Sequence, residues 1–444
     1  MTLIIRANGG AQAGHGVVLP DGRAHIFAQF GSATFVPGAQ THLSRHFVLH
    51  PLRMLVEDDY LRRSGVDDAF RRTTISENAL VITPFHEIAN RLREYARGAN
   101  RHGSCGIGVG ETVRDSTEND AVTSIRAGNL RDDDLSDRLY DLRWRKKEQL
   151  HAEGVLQACW NVHDAQADIE ALLAADAVTD YLDALVPFLE RARIVDDGFL
   201  TDAFARSTEA LLLTDLLYGD QGKGTTVDFF ARNLADRTAI VFEPAQGVLL
   251  DEWRGFHPFT TWSTCTLDNP ERLLAEHRFR GTVRRLGIIR AYATRHGHGP
   301  FVTEDAGLTA RLPDPPSAAA KWQGTFRVGW FDAVAVRYAI ACVGKLDGLV
   351  VTCLDRLADE PEWRICTEYD TGRDIPLGPH KDLAFQEGLT RRMFEAGPTY
   401  QTSTSAATQP QRVAEHLLAI ERELGLPVVL ASHGPTHEDK AVLA

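Results

Sequence analysis

The stretch "YGDQGKGTT", residues 218–226, combines three glycines with one carboxylate and one ammonium group. Gly219, Gly222 and Gly224 let the backbone approach an anion and present its amide N–H groups, and a helix beginning here would add its positive N-terminal dipole. Lys223 is long enough to reach a phosphate. The spacing differs from GxxxxGK[ST], the common phosphate loop. The stretch predicts a phosphate-binding turn of another type, although an ordinary glycine turn before a helix has the same pattern.

A carboxylate inside such a turn is unusual, because bound phosphates repel it. Asp220 is tolerated there if Mg²⁺ bridges it to the phosphates or if it acts as a base, and both roles are chemical. A second glycine-rich turn, "NGGAQAGHG" at 8–16, carries His15 between two glycines. Such a histidine is either a structural hydrogen-bonding group or a side chain exposed to whatever binds in the turn.

Elements of an α/β fold are expected to position these turns. Short apolar runs that end in glycine or acidic turns fit buried strands of a mostly parallel sheet; they are "LIIRANGG", "ALVITPF", "TAIVFEPAQG", "LGIIRAYAT", "GLVVTCLD" and "LPVVLASHGP". Helical repeats of apolar residues lie between them, at 227–234 and 413–424 for example. We therefore predict an α/β fold whose ligands bind at the carboxyl ends of the strands.

Composition excludes several classes of protein. A formal net charge of -13 argues against a protein that follows a nucleic-acid backbone, which requires a basic surface. The six cysteines form no CxxC pair, so neither a zinc site nor a disulfide framework is indicated and a reducing cytoplasm is expected. No apolar run approaches the roughly 20 residues that span a bilayer. We expect small-molecule ligands and neither a nucleic-acid nor a membrane partner.

Several stretches together resemble the motifs of adenylosuccinate synthetase. They are "YGDQGKGTTVDFFAR", "NGGAQAGH", "CGIGVGE", "FEPAQGVLLDEWRGFHPFTT", "GIIRAYATRHGHGPFVTED", "VGWFDAVAVRYA", "CLDRL" and "SHGPTHED". All but the first follow the family's order. In the family, the strand, loop and helix of the phosphate turn open the chain and lead directly into the strand that ends in the GGxNAGH turn. Here that unit stands at about 210–237.

The resemblance implies the fold of the family, which is α/β and P-loop-NTPase-like, with a large mostly parallel central sheet and flanking helices. We expect one domain spanning residues 1–444. A strand–loop–helix unit can move along the chain if its strand keeps its place in the sheet, because packing depends on neighbours in space. We therefore predict that Asp220 and His15 meet in one site.

The resemblance also implies an activity, since the family joins the amino group of aspartate to C6 of IMP with GTP and Mg²⁺. Asp220 would take the purine N1 proton and bind Mg²⁺, and O6 would then attack the γ-phosphate before an amine displaces the new phosphate. His15 would stabilise charge on the phosphates. The backbone carbonyl of Gly14 would be a second metal ligand. A homodimer of two identical chains is expected.

Other positions acquire roles only through their places in the matched motifs. The triphosphate is expected to contact Gly219, Gly222, Lys223, Gly224, Thr225 and Gly14. Its base is expected to contact Asp355, Ser432, Gly434 and Pro435. The nucleoside monophosphate is expected to contact Gln12, Ser104, Gln246 and Thr261. The loop for the amine donor is expected to include Lys321, Thr325 and Arg327.

Three departures from the family pattern bear on specificity. Gln12 replaces an asparagine of the family. Cys353 replaces the lysine of the TKLD motif, so the sequence leaves open whether the triphosphate is GTP or ATP. The TTGRxRR loop, which grips the carboxylates of aspartate, corresponds to "KWQGTFRVGW", where Arg327 remains with Lys321 nearby. A dicarboxylate requires charge-assisted and preferably bidentate partners. We therefore expect an amine donor other than, or in addition to, aspartate.

Two other hypotheses stay open at this point. The chain could be an ordinary adenylosuccinate synthetase that grips aspartate from other loops, or a relative of the phage enzymes that act on dGMP. It could also be a nucleotide sensor without turnover. Asp220, Lys223 and His15 are all present, which disfavours the sensor because a sensor needs no base.

Overall fold

A computed structural model describes residues 2–118, 124–312, 322, 324–404 and 408–443. The strands are β1 (Thr2–Arg6), β2 (His15–Val18), β3 (Ala24–Phe27), β4 (Gln40–Leu43), β5 (Val48–Leu49), β6 (Thr73–Ser76), β7 (Leu80–Val81), β8 (Ile194–Val195), β9 (Glu209–Asp215), β10 (Ala239–Phe242), β11 (Thr282–Arg290), β12 (Ala293–His296), β13 (Phe326–Gly329), β14 (Phe331–Asp332), β15 (Gly348–Thr352), β16 (Trp363–Tyr369), β17 (Pro398–Thr404), β18 (Val428–Ser432) and β19 (Lys440–Val442).

Among the described residues, helices lie in about half of the intervals between these strands. They are α1 (Pro51–Arg63), α2 (Pro84–Arg97), α3 (Val109–Thr117), α4 (Leu135–Ala152), α5 (Val155–Cys159), α6 (Gln166–Leu173), α7 (Ala177–Arg191), α8 (Gly198–Arg206), α9 (Lys223–Asn233), α10 (Asp268–Glu276), α11 (Ala306–Arg311), α12 (Ala333–Val343), α13 (Leu383–Glu395) and α14 (Gln409–Leu424). Within the described ranges, every helix is too short or too polar to cross a lipid bilayer.

The central element is a ten-stranded sheet in the order β19-β18-β15-β11-β9-β10-β1-β4-β6-β8. Its neighbouring strands run parallel except for β18 and β19. The predicted α/β fold with a mostly parallel sheet is confirmed. Five of the six apolar runs form its strands β1, β10, β11, β15 and β18, and the helical repeats at 227–234 and 413–424 lie in α9 and α14.

The sixth run, "ALVITPF", is not in the central sheet, so that prediction was wrong. Only Leu80 and Val81 are extended, and they pair with β5 in a separate two-stranded sheet. Pro84 then begins α2, and His86 Nδ1 accepts a hydrogen bond from Thr83 N over 3.0 Å at the start of the helix. Proline suits the first turn of a helix because it lacks the N–H that a strand ladder requires.

Apolar side chains cover both faces of the sheet. Leu3 and Leu212 pack in the cluster on one face, whereas Ile4 and Leu211 pack in the cluster on the other. This alternation follows from the two-residue period of a strand, and burial on both faces explains why the strands are nearly continuous apolar runs. A third cluster lies among α1, α2, α4 and α7.

The phosphate-loop unit occupies the middle of the sheet. Strand β9 lies between β11 and β10, and α9 leads into β10, which is hydrogen-bonded to both β9 and β1. The crossover therefore joins two adjacent parallel strands, which is the usual short connection. Because the strands run parallel, the carboxyl ends of β1, β9, β10, β11, β15 and β18 meet at one edge of the sheet.

The two glycine-rich turns touch at this edge. A Cβ atom on Gly224 would lie 2.4 Å from the carbonyl oxygen of Gly16 and 2.9 Å from the carbonyl carbon of His15. Only a residue without a side chain permits this approach of the first turn of α9 to the backbone of β2. The structure thus brings together turns that are far apart in the sequence, as predicted.

We expect Gly224→Ala to destabilise the protein by about 1–3 kcal/mol, because the added methyl group overlaps the backbone of Gly16. Urea unfolding monitored by circular dichroism measures this change. Gly388→Ala is the matched control, since Gly388 lies in α13 and its Cβ position is open apart from the end of Arg391 at 4.0 Å. Equal stability of the two variants would contradict the close contact.

Candidate active site

The phosphate loop connects β9 to the N-terminus of α9. Gly219 and Gly222 have φ angles of 70° and 89°, in the region that favours glycine. Asp220 Oδ1 accepts hydrogen bonds from the N–H groups of Gly222 (3.1 Å) and Lys223 (2.9 Å), where α9 begins. No described residue donates a hydrogen bond to Asp220 Oδ2. One oxygen of this carboxylate shapes the loop and the other is available for chemistry.

The ends of two neighbouring strands hold the loop in place. Arg290 Nη2, at the end of β11, donates to the carbonyl oxygen of Asp220 over 3.0 Å. Thr352 Oγ1, at the end of β15, donates to the carbonyl oxygen of Gln221 and lies 3.0 Å from where a Cβ of Gly222 would be. A larger residue at 222 would therefore collide with β15. Thr225 is half-buried and its Oγ1 lies 3.5 Å from the carbonyl oxygen of Gly222.

Lys223 is fully buried and forms an ion pair with Asp215, the last residue of β9. Its Nζ also donates to the carbonyl oxygen of Gln246 over 3.2 Å. Burial raises the pKa of Asp215 to about 7, although the positive charge of Lys223 opposes this shift. The sequence analysis missed Asp215, whose one signal was a carboxylate at the end of an apolar run. A direct contact between Lys223 and phosphate stays a prediction.

The first turn is tied to the turn that follows β10. Asn8 Nδ2 donates to the carbonyl oxygen of Ala245 (3.0 Å), and Ala245 N donates back to Asn8 Oδ1 (2.7 Å). Gly9 N donates to Ser263 Oγ over 2.9 Å. A Cβ on Gly9 would lie 2.3 Å from that of Ala245. The turns after β1 and β10 therefore behave as one rigid surface.

His15 is buried in this surface and pairs with Glu243, which sequence analysis missed. His15 Nδ1 lies 2.5 Å from Glu243 Oε1, and Glu243 also accepts from Ser32 N (2.9 Å) and faces Arg6 Nη1 at 3.9 Å. Burial lowers the pKa of His15 to about 4, helped by the charges of Lys223 and Arg6 and opposed by Glu243. The imidazole is therefore neutral near pH 7, with Nδ1–H donating to Glu243.

Two glutamines present buried polar atoms beside these turns. Gln12 Nε2 and Oε1 and Gln246 Oε1 have no hydrogen-bond partner within the described part of the chain. Gln246 also has a φ of 56°, a strained angle for a residue with a side chain. Unpaired buried amide atoms are costly unless a ligand or water satisfies them. The pair fits the predicted contact with a nucleoside monophosphate.

Ser104 and Thr261 lie on two segments that are close to each other. Ser104 Oγ accepts from Asn90 Nδ2 over 3.0 Å in the loop before α3. Farther along that segment, a Cβ on Gly110 would lie 3.1 Å from the ring of Trp262, next to the half-buried Thr261. The structure thus places both residues at facing segments, although their contact with a nucleotide stays a prediction.

The residues predicted to bind the base lie at the ends of the adjacent strands β15 and β18. Asp355 is half-buried in the turn Leu354–Leu357. This turn directly follows Cys353, whose φ is 58°. Ser432 Oγ donates to the carbonyl oxygen of Gly434 over 3.1 Å. Gly434 is half-buried and Pro435 is exposed. Lys440 also reaches this place, since its Nζ donates to Ser432 Oγ over 3.1 Å, and the sequence analysis missed it.

The arginine of the predicted amine-donor loop is already engaged. Arg327 Nη1 pairs with Glu304 Oε2 at 2.7 Å, and Arg327 Nη2 donates to the carbonyl oxygens of Gly297 and Gly299 at 2.6 and 3.0 Å. Thr325 is exposed. Lys321 lies outside the described residues. Glu304 therefore already compensates the positive charge of Arg327, which a dicarboxylate would need as a partner.

The Mg²⁺ expected from the resemblance fits this donor set. Within the described ranges, no three His, Cys, Asp or Glu side chains are grouped to enclose a metal. Mg²⁺ does not need such a cage, because it keeps several waters and is commonly bound by one or two carboxylates and substrate phosphates. Asp220 Oδ2 and the carbonyl group of Gly14, which lies in an exposed part of the first turn, would hold the ion.

Comparison with known protein families agrees with this geometry. The family model described as "Adenylosuccinate synthetase" matches residues 1–200 and 231–441. The unmatched interval contains β9 and the phosphate loop, as expected if this unit stands elsewhere in the family. The adenylosuccinate synthetase of Ralstonia nicotianae is 29% identical over 99% of this chain and 90% of its own length. That of Magnetococcus marinus is 27% identical, with 99% and 92% covered.

Solved structures show the same fold. The fully ligated adenylosuccinate synthetase of Plasmodium falciparum superposes with a TM-score of 0.68 at 19% identity, covering 100% of this chain and 94% of that one. The succinoaminodeoxyadenylate synthetase of cyanophage S-2L, bound to dGMP and dATP, gives 0.53 at 15% identity, with 99% and 94% covered. The chain therefore belongs to the adenylosuccinate synthetase family, C–N ligases that act on purine nucleotides with Mg²⁺ and GTP.

Proposed function

We propose that this protein phosphorylates O6 of a 6-oxopurine nucleotide such as IMP and replaces the phosphate with an amine other than, or in addition to, aspartate. The observation that carries the proposal is the contact of the two turns through Gly224, which places the Asp220 loop beside His15. A base, a phosphate-binding helix terminus and a carboxylate-held imidazole then serve one reaction centre.

In the first step, Asp220 Oδ2 takes the proton from N1 of the purine. The electrons released make O6 a nucleophile that attacks the γ-phosphorus, and the nucleoside diphosphate leaves. The N–H groups at the start of α9 stabilise the charge on the transferred phosphoryl group. In the second step, the amine nitrogen attacks C6 and inorganic phosphate leaves, while the nitrogen loses its extra proton.

His15 is suited to respond to the negative charge of bound phosphates by taking up a proton. Its Nδ1–H is held by Glu243, whose own pKa is lowered to about 2 because Arg6 and the hydrogen bond from His15 outweigh the opposing effect of burial. An approaching phosphate adds the negative charge that stabilises a protonated imidazole. His15 then takes up a proton and donates from Nε2, which has no partner among the described residues.

The pairing of Arg327 with Glu304 supports an uncharged amine donor. Two carboxylates of aspartate would need several charge-assisted hydrogen bonds, each contributing about 1.5–3 kcal/mol. The described part of the donor loop supplies one guanidinium, and it is already paired. The rings of Phe326 and His296, whose centroids are 4.9 Å apart, form an aromatic contact in the same hairpin.

Adenylosuccinate synthesis from IMP, aspartate and GTP is the second candidate, favoured by the 29% identity to enzymes of that name. A sensor without turnover is disfavoured because a sensor does not need the base that Asp220 would supply. The proposal includes a homodimer in the cytoplasm, in which none of the six cysteines forms a disulfide.

We expect Asp220→Asn to abolish IMP-dependent phosphate release from GTP or ATP, at least 100-fold, because the amide cannot accept the N1 proton. Nucleotide binding, measured by calorimetry, should persist, since the amide oxygen still accepts from the N–H groups of Gly222 and Lys223. Asp236→Asn is the control, as Asp236 is an exposed carboxylate after the same helix. Wild-type turnover by Asp220→Asn would rule out both ligase reactions.

We expect Glu304→Gln to lower the KM for aspartate by about tenfold, because Arg327 is released to bind a carboxylate. Mass spectrometry of the adducts, with aspartate and a panel of uncharged amino acids, measures this change. Glu362→Gln is the control, since Glu362 forms an exposed pair with Arg364. A wild-type protein that forms adenylosuccinate as its main adduct would establish the second candidate instead.

A further inference from the structure

Lys440 lies directly across from Ser432 at the edge of the central sheet. The two residues are partners in the antiparallel register of β18 and β19. Lys440 Nζ donates to Ser432 Oγ (3.1 Å) and to the carbonyl oxygen of Thr436 (3.0 Å). An ammonium group has three N–H donors. Two are used within the protein, so one is left for another acceptor.

The hydroxyl group of Ser432 cannot supply that contact itself. Its single hydrogen is donated to the carbonyl oxygen of Gly434 over 3.1 Å, and its oxygen accepts from Lys440. Ser432 therefore offers a lone pair but no proton to a ligand. Among the described side chains here, Lys440 is the one that retains a hydrogen-bond donor.

A carboxylate stands beside this donor. Asp355 follows β15, the strand that pairs with β18, and its half-buried side chain forms no hydrogen bond or ion pair with any described residue. Burial lowers the pKa of Lys440 to about 8, against the opposing charges of Asp439, Cys353, Asp228 and Asp355. Asp355 is thus near enough for its charge to act on Lys440. One acceptor and one donor thus lie at the ends of neighbouring strands.

We propose that Lys440 selects the base of the nucleoside triphosphate by donating its remaining N–H to the 6-oxo group of guanine, while Asp355 accepts from N1–H and the 2-amino group. This assignment rests on the proposed function, together with the expected contact of the triphosphate base with Asp355 and Ser432. Adenine would present its 6-amino group to Lys440, so that two donors would face each other. Such a mismatch discriminates more strongly than the loss of an apolar contact.

Four nucleoside triphosphates test the contact of Lys440 with the 6-oxo group separately from the contact of Asp355 with the 2-amino group. GTP has both the 6-oxo and the 2-amino group, ITP has only the 6-oxo group, 2-aminopurine riboside triphosphate has only the 2-amino group, and ATP has neither. Their binding to the full chain with Mg²⁺ is measured by calorimetry for the wild type and Lys440→Met. We expect the variant to bind GTP and ITP about 10- to 100-fold more weakly. The 2-aminopurine nucleotide should bind within about twofold of wild type, and ATP should bind more tightly than to wild type because the facing donor is gone.

Two further variants separate this effect from a general loss of structure. Lys345→Met removes an exposed lysine near β15 and should leave all four affinities unchanged. Lys440→Arg retains a donor and should recover part of the preference for GTP. Thermal unfolding of each variant shows whether it is folded.

Each remaining outcome has a clear meaning. Three outcomes would overturn the assignment of Lys440 but leave the proposed function standing. They are equal weakening of all four ligands in a folded Lys440→Met, no weakening of any ligand, and a wild type that prefers ATP. A wild type that binds none of the four would overturn the proposed function as well, because the phosphate loop would then have no triphosphate to hold.

Discussion

The close approach of two backbones at Gly224 is the constraint on which the site depends. The first turn of α9 rests on the carbonyl groups of His15 and Gly16, at a distance that any Cβ atom would prevent. This contact fixes the helix N-terminus, and with it the amide groups of the phosphate loop, relative to the buried imidazole. Catalysis of phosphoryl transfer relies on such fixed positions, because positioning and electrostatics supply most of the rate enhancement.

Buried charges surround this contact, and each is compensated. The ion pair of Lys223 with Asp215 lies beneath the phosphate loop, and Glu243 is paired with His15 and Arg6 beneath the first turn. An isolated charge in these positions would cost several kcal/mol, so the pairs must form together with the fold. They also hold the reacting surface in one arrangement before any substrate arrives.

The position of the phosphate-loop unit in the chain shows which features a fold conserves. Strand β9 lies in the middle of the sheet and its helix crosses to the adjacent strand β10, although the family model leaves residues 201–230 unmatched. The loop still lies at the carboxyl ends of the strands and still touches the turn after β1. Packing depends on the neighbours of a strand in space, so its place in the sequence is free to change.

The sequence by itself determined five strands of the central sheet, the two glycine-rich turns and the family. Short, nearly continuous apolar runs fit strands of a sheet that is buried on both faces, and the motifs of the turns are local patterns. The placement of "ALVITPF" was wrong because an apolar run of that length does not specify its sheet.

Only the tertiary structure decided the partners of the site residues. Glu243 and Lys440 carry no local signal, and Asp215 carries only that of a carboxylate at the end of an apolar run. A buried charge is recognised by the group that compensates it, and that group lies on another element. The pairing of Arg327 with Glu304 is of the same kind, since it joins β13 to the loop before α11. Sequence patterns report on neighbours along the chain, whereas charge compensation is settled by neighbours in space.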